Sequence, residues 1–292
     1  MKRALTLDEQ VSLLRQRGMH ISSDADAAQF LHDTSYYRFS GYSHLYQIAP
    51  GAGGNDNFVS GVSFKDVQDV YHFDGRLRRV LREGLFDFEI RFRSRFAYLL
   101  ATEIAPDAYL DPSIYTNKQF FTESRSQIDT ELKRSKEKFA LAYRRAHPTE
   151  EFPVWIAFEI LSFGQISKLL SNLNAPRVMG GLAKQWEITP AKFPTVVYIM
   201  SLLRNIVSHH GRLWHRQMAT RGVDIGYPIR LSRSLDGVDK RSVYWSIIML
   251  DYLLKEHPGS GFRQDVLALL SEDSTWWAGL GIPNDRVIAD LL

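Results

Sequence analysis

One helical pattern runs unbroken from Phe64 to about Ala105. Leu77, Val80, Leu81, Gly84, Leu85, Phe88, Phe92, Phe96 and Leu99 keep to one side of it. No other feature limits the fold so strongly, because helical periodicity recurs through most of the remaining chain and no series of alternating strands accompanies it. The expectation is an all-α fold. With 292 residues, 45% of them apolar, there is material for one large domain or for a domain with a substantial extension.

Thr6-Leu7-Asp8-Glu9 has the spacing of a capping box and predicts a short helix ending at Gly18, with a second over Asp24 to Asp33. An aromatic cluster, Tyr36-Tyr37-Arg38-Phe39-Ser40-Gly41-Tyr42, precedes Ala49 to Gly61, where glycines without an apolar pattern predict a flexible loop and the best boundary. Beyond the long stretch, helices are expected over Lys118 to Ala146, Pro153 to Leu173, Pro190 to Met218, Ser242 to Glu256 and Gly261 to Leu270. Pro153 and Pro190 sit where a first helical turn accepts proline. Arg221 to Arg241 reads as a loop with room for a short hairpin, and Trp276-Trp277 to Leu292 is apolar enough to dock on the body. The division expected is residues 1–61, an N-terminal helical and aromatic extension with its loop; 62–220, the helical core; and 221–292, a loop and C-terminal helices packing on that core.

Absent cysteine removes disulfide scaffolds, thiolate zinc sites, iron–sulfur clusters and Cys nucleophiles together. The first residues reach Asp8-Glu9 without an apolar run, so no signal peptide is expected. The longest apolar runs, such as Val243 to Leu254, contain a charge and fall short of the roughly 20 residues that a span requires. A soluble, cytoplasmic chain with no membrane partner is the expectation. The formal charge of +3 conceals 25 Arg against 11 Lys. Guanidinium groups grip phosphates and stack on bases, which leans toward nucleic acid, although an arginine-favouring genome explains the composition equally well.

Seven arginines, Arg76, Arg78, Arg79, Arg82, Arg91, Arg93 and Arg95, crowd the other faces of the long stretch. Asp87/Arg91 and Glu89/Arg93 stand at i,i+4 spacing. A solvated, salt-bridged face and an RNA-facing surface using Arg78 and Arg82 both fit this pattern. Tyr37, Arg38, Phe39 and Tyr42 are suited either to stacking on unpaired bases or to a core.

The chemistry concentrates in Ser201 to Arg216, which holds three of the nine histidines. On an ideal helix with Asn205 at zero, His209 lies at about +40°, Arg212 at about −20° and Arg216 at about +20°, one polar and basic stripe. His210, at about +140°, falls among Leu203, Ile206, Val207, Leu213 and Trp214 and is expected to be structural. Cleaving RNA without a metal needs a proton carrier for the 2′-hydroxyl, another for the leaving oxygen, and cations for the charged phosphorane; histidine and arginine supply these. Arg204 stands about 140° from His209 and about 7.5 Å along the axis, so a two-fold dimer is expected to assemble the cleft and provide two histidines. Spacing alone is cheap: Arg15/His20 repeats it. Glu159, inside an otherwise apolar helix, needs a partner if buried and is a candidate to orient Arg204 or His209; an exposed or unrelated paired role is the alternative. A metal site on His209, His210 and His215 is disfavoured because adjacent histidines diverge by about 100°, and no cofactor is expected.

Arg204-Asn205-x3-His209-His210-x-Arg212-Leu213-Trp214, preceded by Phe152-Pro153-Val154-Trp155-x3-Glu159-x2-Ser162-Phe163-Gly164 and by the Tyr36 to Tyr42 cluster, resembles the Abi-like abortive-infection family of the AbiD/AbiF group. The likeness runs on to Gly281-Ile282-Pro283. It implies a HEPN-like helical bundle with an N-terminal helical extension, whose Arg-x4-6-His motif forms a composite ribonuclease site in a homodimer. By the resemblance Arg204 and His209 become the catalytic pair and Asn205 their polar neighbour; the reading of the residues adds Arg212, Arg216, Arg38, Tyr37, Arg78 and Arg82 as candidates toward RNA and Glu159 and His210 in support. Ser208 and His215 depart from the alanine and asparagine frequent in the family. The implied function is an endoribonuclease toxin of phage defence restrained by a structured non-coding RNA; the alternative is a non-catalytic RNA-binding or scaffold protein of the same geometry.

Overall fold

The long amphipathic stretch folds as one helix, α4, over Phe64–Glu103. It is preceded by α1 (Leu7–Gln16), α2 (Asp24–Thr34), α3 (Tyr36–Ser43) and two short strands, β1 (Gln47–Ala49) and β2 (Asn55–Phe58). After it come α5 (Lys118–Arg134), α6 (Lys138–Ala146), α7 (Val154–Ile160), α8 (Phe163–Asn172), α9 (Pro176–Gln185) and α10 (Phe193–Ser208). The chain closes with α11 (Ile229–Ser234), α12 (Val243–Leu254), α13 (Phe262–Leu270) and α14 (Trp277–Leu280). The computed structural model describes residues 3–51, 54–255 and 259–292. The fold is predominantly all-α, as expected. No helix among the described residues is long and apolar enough to cross a membrane.

Contacts divide the chain into two compact units, Met1–Arg78 and Arg79–Leu292. In the first, the capping box forms as its sequence requires: the Thr6 side chain accepts from the Glu9 amide and the Glu9 carboxylate accepts from the Thr6 amide. Phe39 stacks on Phe64 at 4.5 Å, and Phe30 meets both edge-on. Beneath them the Tyr42 hydroxyl donates to buried Asp74 at 2.6 Å, and Arg78 is ion-paired with the same carboxylate. The predicted loop over Ala49 to Gly61 is corrected: β1 and β2 pair antiparallel, with Gln47 opposite Phe58, and residues 52–53 lie outside the described set.

In the second unit, Leu81, Leu85, Phe88, Phe92 and Phe96 of α4 are buried, and the three phenylalanine rings meet those of Phe158, Phe163, Trp186 and Phe193 at centroid separations of 5.2–6.4 Å. Helix α12 is buried on nearly all sides, which its continuous apolar sequence demands. In the terminal segment Leu280, Ile282 and Leu291 are buried, and the Tyr244 hydroxyl donates to the Leu291 carbonyl at 2.6 Å.

Three predicted helices are shorter than expected, each for a local reason. The stretch Lys118 to Ala146 breaks at Ser135, where a charged run offers nothing to bury and Arg144 takes the Leu132 and Ser135 carbonyls. Pro153 to Leu173 breaks at Leu161-Ser162, because Ser162 and Gln165 form a second capping box that starts α8 afresh. Pro190 to Met218 stops at Ser208. Arg221 to Arg241 holds α11 rather than a hairpin. The C-terminal end expected at Glu256 lies outside the described residues, and α12 ends at Leu254.

Candidate functional site

The last turns of α10 carry Arg204 and Asn205, and His209 is its C-cap. The helix ends there in a Schellman motif: His210 adopts φ +55°, its amide donates to the Val207 carbonyl at 3.2 Å, and the Gly211 amide donates to the Ile206 carbonyl at 2.8 Å. A left-handed residue at this position is usually glycine, yet here glycine comes one residue later. Gly211 is required where it stands, since a Cβ there would approach the Ile206 methyl to 2.9 Å and the Ile206 carbonyl to 3.1 Å.

This ending corrects the expected stripe. Arg204, Asn205 and His209 share the helix, whereas Arg212 and Arg216 follow it on irregular chain, where 100° spacing no longer applies. Arg212 and Arg216 are half-buried; Arg216 turns back so that its Nε donates to the Arg212 carbonyl beside Gly211. His210 is corrected from a core residue to an exposed one, because the left-handed turn carries its side chain off the apolar face of α10. Apolar anchoring passes instead to Leu213 and Trp214, both buried, with the indole donating to the Trp276 carbonyl at 3.2 Å.

His209 is exposed, and its imidazole makes no hydrogen bond among the described residues. Asn205 is exposed one turn earlier, and its Oδ1 accepts from Arg204 Nη1 at 3.5 Å. Arg204 is held from below: its Nε donates to Glu89 Oε2 at 3.1 Å. Glu89, only 4% exposed, uses its other oxygen for Arg93, whose Nε donates at 3.0 Å. Arg93 also donates to the Phe158 and Leu161 carbonyls, closing the orphaned end of α7. One buried carboxylate therefore joins α4, the α7–α8 break and the end of α10.

Glu89 takes the place that Glu159 was expected to occupy. Glu159 is corrected to an exposed position on the outward face of α7 beside Trp155, where it needs no buried partner and makes no ion pair among the described residues. A signal for Glu89 exists in the sequence: at 100° per residue it falls about 40° from Leu85 and about 20° from Phe96, inside the apolar stripe of α4. A carboxylate there must meet a cation from another element.

The remaining candidates diverge. Arg78 is corrected from an RNA contact to a structural residue, since it is 8% exposed and engaged with Asp74 and Tyr42 in the first unit. Tyr37, 88% exposed, projects from α3, with Arg38 half-buried beside it and Phe39 and Tyr42 in the core. Arg82 of the second unit is exposed. No group of three or more His, Asp or Glu side chains suited to a metal ion is found among the described residues.

Fold and site together define a helical protein that presents an imidazole, an amide and an internally anchored guanidinium at one helix end. The Abi-like protein family matches residues 29–215, more than half of the chain, and the protein belongs to that family. The matched span includes Glu89, Arg93, Arg204, Asn205 and His209. Membership suggests a role in phage defence by abortive infection. Neither the curated proteins nor the solved structures yielded a match.

Proposed function

We propose that the protein is an endoribonuclease of the HEPN-like type, the toxic arm of an abortive-infection system, acting without a metal ion on unpaired RNA in the cytoplasm. The observation that carries this reading is the exposed His209 and Asn205 at the end of α10 beside Arg204, whose guanidinium is clamped by buried Glu89. His209 removes the 2′-hydroxyl proton, the 2′-oxygen attacks the adjacent phosphorus, and the 5′-oxygen leaves with a proton from a second imidazole. Arg204 offsets the charge that develops on the phosphorane, and its fixed position lowers the reorganisation this requires. One chain provides one such histidine, so a facing copy of α10 in a homodimer supplies the second. A structured non-coding RNA restrains the activity by occupying the same surface.

The test is cleavage of single-stranded RNA in EDTA with end-group analysis. The expected products carry 2′,3′-cyclic phosphate and 5′-hydroxyl ends, and His209→Ala removes cleavage while leaving fold and self-association intact. Wild-type-like cleavage by that variant removes the assignment. RNA shifted on a gel but never cut by the wild-type protein supports the binding or scaffold alternative instead.

A further inference from the structure

A groove of about 630 Å³ lies along α10, walled by α5 on one side and by the start of α8 on the other. Its size falls within the range of small-ligand clefts. Its floor is one stripe of α10. With Tyr198 at zero, Leu202 lies at about +40°, Asn205 at about −20° and His209 at about +20°. Following that stripe from Tyr198 leads past Asn205 to His209, a rise of about 16 Å.

The groove offers groups left over from folding. The half-buried Tyr198 hydroxyl makes no hydrogen bond among the described residues. Gln165 spends its Oε1 on the Ser162 amide and hydroxyl, each at 2.9 Å, and its Nε2 makes no hydrogen bond among the described residues. Exposed Lys168 has no ion-pair partner among them, whereas Arg134 is paired with Glu131 at 2.6 Å. An aromatic face, amide groups and an uncompensated cation are what a nucleotide uses for its base plane, base edge and phosphate.

Resting on the ribonuclease reading, we propose that this groove binds the unpaired RNA nucleotides flanking the cut. A base stacks on Tyr198, Gln165 and Gln127 meet base edges, and Lys168 holds a phosphate. Asn205 is the point where groove and reaction centre join. The groove thereby sets sequence preference at positions beside the scissile phosphate, while Arg204 and His209 carry the chemistry.

The experiment measures binding of five-nucleotide single-stranded homopolymers to the full-length His209→Ala protein by fluorescence anisotropy, so that the probe survives. Lys168→Glu and Tyr198→Leu in that background are each expected to weaken binding fivefold or more, the stacking loss being the larger of the two. Tyr198→Phe keeps the ring and is expected to retain affinity within about twofold, as is Lys184→Glu, at an exposed position of α9 that does not line the groove. In the active protein, Tyr198→Leu and Gln127→Ala raise KM more than they lower kcat and shift the preferred nucleotide beside the cut. Groove variants that bind and cut like the unaltered protein overturn the proposal while leaving the His209 assignment standing. Loss of binding in the groove variants of a protein that never cleaves RNA retains the groove and removes the ribonuclease reading. Failure of the His209→Ala protein to bind any of the probes also overturns the proposal.

Discussion

Replacing Glu89 tests the internal anchor directly. Its side chain is 6% exposed and contacts Arg93, 11% exposed, and Arg204, 30% exposed. Removing one partner of a buried ion pair costs about 3–5 kcal/mol, because the remaining charge stays buried without compensation. Two features place Glu89→Ala toward the lower end of that range. Arg93 keeps its bonds to the Phe158 and Leu161 carbonyls, and Arg204 is open enough to be hydrated. The expected loss is about 3 kcal/mol for Glu89→Ala and about 2 kcal/mol for Glu89→Gln, which preserves volume but not charge. With a urea slope of about 3 kcal/mol/M for a chain of this length, unfolding followed by circular dichroism reads this as a fall in midpoint of about 1 M for the alanine variant and about 0.7 M for the glutamine one, at unchanged slope. Double-mutant cycles should give a larger coupling for Glu89 with Arg93 than with Arg204, following their burial. On the proposed ribonuclease reading, at a temperature where both proteins are folded, Glu89→Gln should also lower RNA cleavage, since Arg204 loses its fixed position. An alanine variant within about 1 kcal/mol of wild type would refute the argument that this carboxylate organises the three elements.

Other consequences are equally open to measurement. His210→Val should be less stable than His210→Gly by about 1–2 kcal/mol in thermal unfolding; both lose the imidazole, and only valine resists φ +55°. Equal midpoints would contradict the Schellman assignment. Gly279→Ala places a methyl group into the Trp214 indole and should cost about 1–3 kcal/mol or more, loosening the segment after His209; unchanged Trp fluorescence and stability would count against that packing. Burial pushes the Tyr42, Tyr109 and Tyr115 phenols above their ordinary range, and that of Tyr244 up to about 12. Because the unfolded phenols ionise near pH 10 while the folded ones stay protonated, stability present below pH 10 should decline between about pH 10 and 12, by up to about 1.4 kcal/mol per unit for each phenol. Urea midpoints independent of pH across that interval would refute this.

Local signals were legible along the chain because their causes lie within a few residues. The Thr6/Glu9 capping box, the apolar face of α4 and the continuous apolar run of α12 depend on spacing that any reader of the sequence can count. The Ser162/Gln165 box was equally countable, and it marks the break that divides α7 from α8. Arg204, Asn205 and His209 stood out for the same reason, since their residue types and their last-turn spacing lie on one helix.

Which charges are buried was a different kind of question. Glu89 and Arg93 look like an ordinary i,i+4 surface pair until Arg204 and the broken end of α7 arrive against them from 115 and about 65 residues away. Arg78 looks like a surface cation until Tyr42, 36 residues earlier, covers it. The end of α10 likewise turns on contacts made elsewhere, with Gly211 seated on Ile206 and Trp214 lodged against Gly279. Residue spacing specifies which face of a helix a side chain occupies; the free energy of a charge on that face depends on what packs over it, and that partner comes from distant chain.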